Sequence, residues 1–362
     1  MNANERLLEY PFGDTLPAAG GVIEVAPGVR WIRMALPFAL DHINLWLLRD
    51  RMDDPGGGVR EGWTVVDCCI AHDASRAQWE QLIAHELDGL PVLRVIVTHM
   101  HPDHVGLAGW LCQRFNAPLY ISATDYHVAR QASLRGDNTR SESTVRFYAQ
   151  HGVTDTVALQ ALRDRGASYP RLVGPLPEHF HRLQEGAQLT IGDASWRCIS
   201  GFGHAPEHMA LHCESLGVLI SGDMLLPRIS TNISVYDTEP EADSLRQFLE
   251  SIDRFRPLAP NTLVLPSHGR PFRGLHQRVA QLHAHHADRL DEVLQACAEA
   301  PRSAAEIMPV LFPRALDPHQ TTFALGEALA HLHRLWFARR LQRLRGADGI
   351  WRFTATAATA PT

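Results

Sequence analysis

The segment THMHPDH, residues 98–104, places three histidines and an aspartate within six positions. It directly follows residues 91–97, a short β-branched run that is typical of a strand buried on both faces. Imidazole and carboxylate groups are ligands of zinc and similar first-row ions, and a rigid strand end can hold several of them at one place. The segment therefore indicates a metal site, with a solvated loop and an aspartate helix cap as the alternative.

The order of these residues predicts how they face a metal. In an extended segment His99 and His101 point the same way, because side chains alternate with a period of two. Pro102 then turns the chain, so that Asp103 and His104 could face a second ion beside the first.

Three later motifs carry further ligand types. His204 lies in GFGHAPEH after a strand, Asp223 lies in LISGDML at the end of an apolar strand, and His268 lies likewise in LVLPSHG. Each polar residue stands where a buried strand stops, which is where open α/β architectures assemble their sites.

The elements that must position these residues form two strand-rich blocks. Residues 21–70 read as strands with intervening turns, followed by helical spacing at 73–88, the strand at 91–97, a helix at about 104–115 and a short strand at PLYIS. A second block from Leu189 repeats the pattern and ends in a helix at about 241–254 and the strand TLVLP. The pattern predicts an α/β (α+β) fold with two sheets packed face to face and helices outside.

Two further regions interrupt or follow this pattern. Residues 125–186 show helical spacing with interleaved aromatics and are interpreted as an inserted helical cap. Beyond Arg270 the chain is predicted to be helical to about Arg345 and to close with the strand DGIWRFTA. We therefore predict a catalytic domain at 1–270, with the cap at 125–186, and a mostly helical domain at 271–362.

Composition limits the partners and the compartment. A net charge of −6 gives no global basic field for polyanions, and no apolar stretch approaches the roughly 18 residues needed to cross a bilayer. We find no signal-peptide pattern at the N-terminus, and the six cysteines read as buried thiols of a reducing compartment. The expectation is a cytoplasmic protein with no membrane partner.

The set of motifs resembles the metallo-β-lactamase superfamily, with metal motifs like those of glyoxalase II. THMHPDH, GHAPEH, SGDM and PSHG match that family in type and order, and the resemblance covers roughly residues 20–270. It implies an αββα sandwich, which agrees with the strand and helix pattern.

The resemblance also implies a ligand set for two metal ions. His99, His101 and His204 would hold one ion, Asp103, His104 and His268 would hold the second, and Asp223 would bridge the two. The ions would be two Zn²⁺, with iron or manganese as alternatives. They would activate a bridging hydroxide, and Asp103 and Asp223 would be the catalytic residues. By the same resemblance Asp67 would support the metal loop from behind, whereas His208 and His212 are not expected to bind metal.

The C-terminal region resembles the winged-helix-like appendage of the lactamase-like endoribonuclease branch. It is rich in arginine, at positions Arg334, Arg339, Arg340, Arg343 and Arg345. A basic helix in such a frame could contact phosphates, but a solvated amphipathic helix gives the same pattern.

The first hypothesis is a dinuclear metal-dependent hydrolase of a carbonyl ester, with an acyl-CoA or acyl-glutathione thioester as its small-molecule acyl substrate. The cap would form an apolar wall for the acyl chain, although packing on the sandwich or a homodimer contact would explain it nearly as well. A metal-dependent ribonuclease for single-stranded RNA, which is not favoured, a lactonase and a non-enzymatic metal-stabilised scaffold are the alternatives. Fold and metals do not name the substrate.

Overall fold

The computed structural model describes residues 5–54, 56–134, 139–165, 169–316 and 318–356. Its strands are β1 Val22–Ala26, β2 Val29–Ala35, β3 His42–Asp53, β4 Val59–Val66, β5 Val92–Ile96, β6 Leu119–Ser122, β7 His181–Leu183, β8 Gln188–Ile191, β9 Ala194–Gly201, β10 His208–Cys213, β11 Val218–Gly222, β12 Leu263–Pro266, β13 Leu341–Arg345 and β14 Trp351–Ala355. Its helices are α1 Asp73–His85, α2 Pro102–Val105, α3 Ala108–Phe115, α4 Ala123–Leu134, α5 Thr139–Gln150, α6 Thr156–Arg165, α7 Tyr169–Leu172, α8 Ser244–Asp253, α9 Leu275–Glu299, α10 Ala304–Leu311 and α11 Pro318–Phe337.

Two sheets carry the fold. The first has seven strands in the order β1 to β7, antiparallel as far as β4 and parallel from β4 onward. The second has five strands in the order β12-β11-β10-β9-β8, in which only the β11 and β12 pair is parallel. Parallel strands need a crossover, and helices supply it between β4 and β6.

Side-chain alternation along β3 shows how the layers form. Trp46 and Leu48 belong to a buried cluster that also contains Met209 and Leu211 of the second sheet, so this cluster lies between the sheets. Leu45 and Leu47 belong instead to a cluster with residues of α1, α3 and α4, which cover the opposite face. Both faces of β3 are buried, which explains why HINLWLL is continuously apolar after its asparagine. The predicted mixed sandwich is confirmed.

By their internal contacts, the residues form two compact units. The first comprises Met1–Leu134, Tyr169–Thr231 and Ser251–Val279 and contains both sheets. The second comprises Arg135–Ser168, Asn232–Glu250 and Ala280–Thr362. This division assigns α5 and α6 of the predicted cap to the second unit, whereas α4, α7 and β7 belong to the first. It does not coincide with a single boundary at residue 270, which stays a prediction.

The second unit is mostly helical and ends in a two-stranded hairpin of β13 and β14. Its helix α10 begins with a capping box, in which Ser303 accepts from the Glu306 backbone and the Glu306 carboxylate accepts from the Ser303 backbone. The prediction that the chain is helical to about Arg345 is wrong at its end: α11 ends at Phe337, and Arg339 has a left-handed φ of 57°. LQRLR is therefore a strand, and whether this unit is a winged helix stays a prediction.

Smaller boundary differences have local causes. The predicted helix at 104–115 is two helices. Helix α2 ends at Val105 with Gly106 as its C-cap, and α3 begins at Ala108 after Leu107. The helix predicted at 73–88 ends at His85, and Asp88 and Gly89 follow with left-handed φ values. Among the described helices, none is both long and apolar enough to cross a bilayer.

Candidate metal centre

The motif residues collect at one edge of the two sheets. Asp67 follows β4, the THMHPDH segment follows β5, and His204 follows β9. Asp223 follows β11 and His268 follows β12. Because β4 and β5 are parallel, as are β11 and β12, their carboxyl ends meet at the same edge, and the loops beyond them can share one site.

Three histidines place one ring nitrogen each around a common point. The Nε2 atom of His99 lies 2.8 Å from Nδ1 of His101, which lies 3.0 Å from Nε2 of His204. The triangle closes with 3.2 Å between the Nε2 atoms of His204 and His99. The three histidines are here called the three-histidine group, and together with Asp223 they offer ligand atoms that could hold a metal ion.

Asp103, His104 and His268 form a second such cluster, here called the mixed group. The Nε2 atom of His268 lies 3.4 Å from Oδ2 of Asp103, and that of His104 lies 3.7 Å from the same oxygen.

Asp223 stands between the two groups. Its Oδ2 atom is 3.3 Å from Nε2 of His204 and 3.6 Å from Nε2 of His104, and its Oδ1 atom is 3.4 Å from Nε2 of His268. One carboxylate therefore faces both groups, which is the arrangement that a ligand shared by two ions requires.

The three-histidine group has the chemistry of a cation site. Burial, followed by neighbouring imidazoles, lowers the pKa of His99 well below its usual value, and burial and His204 lower that of His101 to about 3. A neutral imidazole can present a lone pair at the nitrogen that faces the common point, and a cation binds such lone pairs. Nitrogen ligands about 2.0–2.1 Å from a tetrahedral zinc lie about 3.3 Å apart, which is close to the observed spacing.

Two buried atoms of the centre support this fit. Nε2 of His104 and Oδ1 of Asp223 have no hydrogen-bond partner within the described parts of the chain. Buried polar atoms rarely stay unsatisfied, and a bound metal ion is one way to satisfy both a nitrogen and an oxygen. The residues present thus fit divalent metal ions.

Carboxylates dominate the electrostatics of the mixed group. Burial opposes ionisation of Asp103, but His104 and His268 outweigh it and lower the pKa of the carboxyl to about 2. Burial likewise opposes protonation of His268, but Asp223 and Asp103 raise its pKa to about 10. The negative charge that favours these imidazolium forms would equally favour a divalent cation, so metal binding has to displace protons.

Asp67 holds the metal loop from behind, as predicted. Its Oδ2 atom accepts a 2.8 Å hydrogen bond from Nδ1 of His104, which leaves Nε2 of that ring for the site. Its Oδ1 atom accepts from the backbone N–H of Thr98 at 2.8 Å. Asp67 has a left-handed φ of 65°, which is uncommon for aspartate in a strand end and turns the chain toward the loop.

The loop that carries His268 is held by residues that the sequence analysis missed. His42 accepts a 2.8 Å hydrogen bond at Nε2 from the Gly269 N–H, and its Nδ1 atom faces Asp41 at 2.6 Å. Asn44 donates from Nδ2 to the carbonyls of Pro266 and Gly269 at 2.8 and 2.9 Å. Only the position of His42 and Asn44 at the start of β3, beside the end of β4, could have suggested this role.

His208 was not expected to bind metal, and it belongs to neither group. It is fully buried, and its Nε2 atom accepts from the Asp223 N–H at 3.3 Å. A Cβ atom on Gly222 would lie only 2.1 Å from that nitrogen, so glycine is required for this close approach. His208 therefore supports the backbone at Asp223. A further missed residue, Asp125, is fully buried beside the metal loop.

Family models match most of the chain. The model described as the metallo-beta-lactamase superfamily matches residues 44–268. The model described as a metallo-beta-lactamase-like C-terminal domain matches residues 290–356.

Individual proteins are similar over nearly the whole chain. A beta-lactamase domain protein from Burkholderia ambifaria has 55% sequence identity and a TM-score of 0.91, covering 98% of this chain and 100% of that one. A metallo-beta-lactamase family protein from Thermus thermophilus has 29% identity and a TM-score of 0.72, covering 92% and 100%. A probable metallo-hydrolase of Bacillus subtilis is 24% identical over 83% of this chain and 90% of its own length.

The comparisons agree with the site. The matched residues 44–268 include every member of both metal-binding groups. This fold implies divalent metal ions, and the relatives support a metallo-hydrolase. The chain belongs to the metallo-β-lactamase superfamily.

Proposed function

We propose that the two groups hold two divalent ions, zinc in the first instance, and that the chain hydrolyses a carbonyl ester of the thioester class. The observation that carries the dinuclear part is the Asp223 carboxylate, whose two oxygens face His204 and His268 at 3.3 and 3.4 Å. Nitrogen and carboxylate ligands suit zinc, and they also suit iron and manganese.

When bound, the ions would lower the pKa of a water toward neutrality and polarise the carbonyl under attack. The residues supply the rest. The lowered pKa values of His99 and His101 favour neutral imidazoles, which offer lone pairs without adding charge. His204 contributes a third ring nitrogen to the same group. Asp103 keeps an ionised carboxylate, which can accept and orient a proton of the attacking water at Oδ1 or Oδ2. Asp67 and the His42 carbonyl fix the ring orientations of His104 and His268.

A thioester suits such a site because its leaving group is easily expelled. The carbonyl carbon gains a bond to the water oxygen, the carbon–sulfur bond breaks, and the products are a carboxylic acid and a thiol. A thiol has an ordinary pKa near 8.5, so its thiolate leaves without a strong proton donor.

Part of the predicted cap lies beside the metal loop. The Tyr169 hydroxyl of α7 donates a 2.6 Å hydrogen bond to the carbonyl of Met100, the residue between His99 and His101. Tyr169, Leu172 and Leu176 are partly buried against the core of the first unit. An aromatic and aliphatic surface at this position supports an acyl substrate, and the acyl chain would contact Tyr169 first.

The ribonuclease alternative has less support, since several C-terminal arginines are engaged within their own unit. Arg343 pairs with Glu241 at 2.6 Å and stacks over Trp336 and Trp351 with guanidinium-to-ring distances of 4.0 and 4.6 Å. Other pairs join Arg334 to Asp243 at 3.6 Å and Arg340 to Asp291 at 3.8 Å. An arginine already neutralised by a carboxylate contributes less to phosphate binding.

Thiol release from a medium-chain acyl-CoA by the zinc-loaded chain tests the proposal. We expect turnover that disappears in Asp223→Ala and persists in Asp193→Ala, which removes an exposed aspartate outside both groups. Metal-loaded chain that releases no thiol from acyl-CoA or acyl-glutathione would overturn the thioester assignment, and lactones would be the next substrates to assay.

A further inference from the structure

We infer that Asp125 is a positioning residue that locks together the two chain segments carrying the three-histidine group. The inference rests on the metal site of the proposed function. His99 and His101 lie on one of these segments and His204 on the other, about a hundred residues later in the chain. Neither segment contains Asp125, which lies in the first turn of α4.

Each oxygen of the Asp125 carboxylate accepts from a different segment. Oδ1 accepts a 2.7 Å hydrogen bond from the backbone N–H of Met100, between the first two histidines. Oδ2 accepts a 2.6 Å hydrogen bond from the backbone N–H of Glu207, three residues after His204. Ser122 adds a third, longer bond from Oγ to Oδ2 at 3.4 Å.

The chemistry of this contact requires a carboxylate. Both backbone groups are donors, and an ionised carboxyl is an acceptor at both oxygens. An amide at the same place would turn its NH₂ group toward one of the two N–H groups and lose that bond. Asp125 is fully buried, so a lost partner would not be replaced readily by solvent.

One further contact joins the two segments directly, and another joins α4 to the second segment. The Met209 N–H donates to the Thr98 carbonyl at 2.8 Å, which joins the segments on the strand side of the histidines. The Thr124 hydroxyl of α4 donates to Glu207 at Oε2 at 2.7 Å, beside the Asp125 bond. Asp125 thus completes a bracket around His99, His101 and His204, and its loss should let their nitrogens move apart.

The mixed group has its own supports. Asp67 holds His104, and the His42 carbonyl holds His268. Asp125 touches neither of these supports among its hydrogen bonds. Its substitution should therefore weaken one metal site of the two.

Metal affinity measured on stripped chain gives the direct test. Zinc is titrated against a chromophoric chelator in wild type and Asp125→Asn, and cobalt is titrated separately to follow its visible absorption bands. We expect two equivalents in wild type, and one of them weakened by about 10- to 100-fold in Asp125→Asn, the range for partners that orient ligands. The cobalt absorption bands of the weakened site should change, because Asp125→Asn would alter the arrangement of the histidine ligands. A loss of stability that leaves this arrangement intact would not change the bands.

Asp50→Asn is the matched control. Asp50 is also buried and also accepts from backbone N–H groups, at Gly192 and Arg51, but it pairs with Arg94 and contacts neither histidine segment. We expect both zinc affinities of Asp50→Asn to equal those of wild type, whatever its stability.

A second, milder variant tests the inference even if Asp125→Asn does not fold. Thr124→Val removes only the exposed bond to Glu207, and we expect the same single equivalent to weaken by about 2- to 10-fold. Unchanged affinities in a folded Asp125→Asn, or equal weakening of both equivalents, would overturn the inference while leaving the proposed function intact. If Asp125→Asn does not fold, unchanged affinities in Thr124→Val would overturn it. Fewer than two equivalents in wild type would overturn the proposed function, and this inference with it.

Discussion

The Nδ1 atom of His268 donates a 2.7 Å hydrogen bond to the backbone carbonyl of His42. This bond fixes which nitrogen of His268 faces the site: Nε2 is left to approach Asp103 and Asp223. The side chain of His42 then accepts from the N–H of Gly269, the residue after His268. One residue of β3 thus holds both the ring and the loop of a candidate ligand.

Substitution of His42 by alanine should weaken the mixed group. The backbone carbonyl remains, but the loop at Gly269 loses its acceptor, and the position of His268 becomes less defined. We expect one zinc affinity of the two to fall by about 10- to 100-fold, measured by chelator competition. The affected equivalent should be the one that Asp125→Asn spares.

His72→Ala is the control, since it removes an imidazole from the N-cap of α1 and leaves the β3 contact in place. Weakening of the same equivalent by the His42 and Asp125 substitutions would contradict the assignment of separate supports to the two groups.

Asp67→Asn should also act on the mixed group through His104. The substitution keeps the size of the side chain but removes the negative charge that accepts from Nδ1 of His104 at 2.8 Å. A less basic His104 binds metal more weakly, and we expect a loss of about 10-fold or more in one zinc affinity. Isothermal titration of the stripped variant measures it, with Asp50→Asn beside it. An affinity equal to that of wild type would mean that Asp67 serves only the backbone at Thr98.

Removal of the metals should lower the thermal midpoint. Without a cation, the nitrogens of His99, His101 and His204 remain within 3.2 Å of one another, and ions that bind only the folded chain stabilise it by mass action. We expect chelation to lower the midpoint by roughly 10 °C in scanning calorimetry. Excess zinc should restore it. A midpoint that chelator and zinc leave unchanged would argue against tightly held ions.

Glu327 predicts a pH dependence in the second unit. Burial raises the pKa of this carboxyl from 4.5 to about 7, and a hydrogen bond from Asn232 offsets it only in part. Between these values the unfolded chain ionises and the folded chain does not, so this contribution to stability is complete below pH 4.5 and is lost as pH rises to about 7. A rise of that size corresponds to roughly 3 kcal/mol.

Glu327→Gln should remove this dependence. The unfolding free energy of the variant, relative to wild type, should increase from pH 5 to pH 8 and then level off. Denaturant unfolding at several pH values measures the difference, and Glu299→Gln, at an exposed position near the end of α9, is the control. Parallel pH curves for wild type and Glu327→Gln would contradict a buried, uncharged Glu327.

The sequence was informative wherever a motif and a strand end coincide. His99, His101, His204, Asp223 and His268 each follow an apolar strand, so their clustering could be predicted, and the structure brings them together with Asp103 and His104. Their role as metal ligands stays a prediction. The mixed two-sheet fold followed from the same alternation of strands and helices.

The missed features depend on contacts between distant parts of the chain. Asp125 meets Met100 and Glu207 only after folding, and nothing in its local sequence distinguishes it from an ordinary helix-start aspartate. His286 of α9 is buried, and its Nδ1 atom lies 3.3 Å from Nε2 of His331 on α11, a contact that local spacing does not reveal.

The prediction of helical structure as far as Arg345 was wrong for a similar reason. Arg343 and Arg345 favour a helix locally, but Arg343 packs over Trp351 of the opposite strand, so the hairpin pairing prevails over local propensity.

The amount of metal held by the wild-type chain tests the central claim most directly. Purified chain, stripped and then dialysed against excess zinc and metal-free buffer, is analysed for zinc per polypeptide. The account predicts two equivalents, because Asp223 faces both the three-histidine group and the mixed group. One equivalent or none at saturation would contradict a dinuclear site.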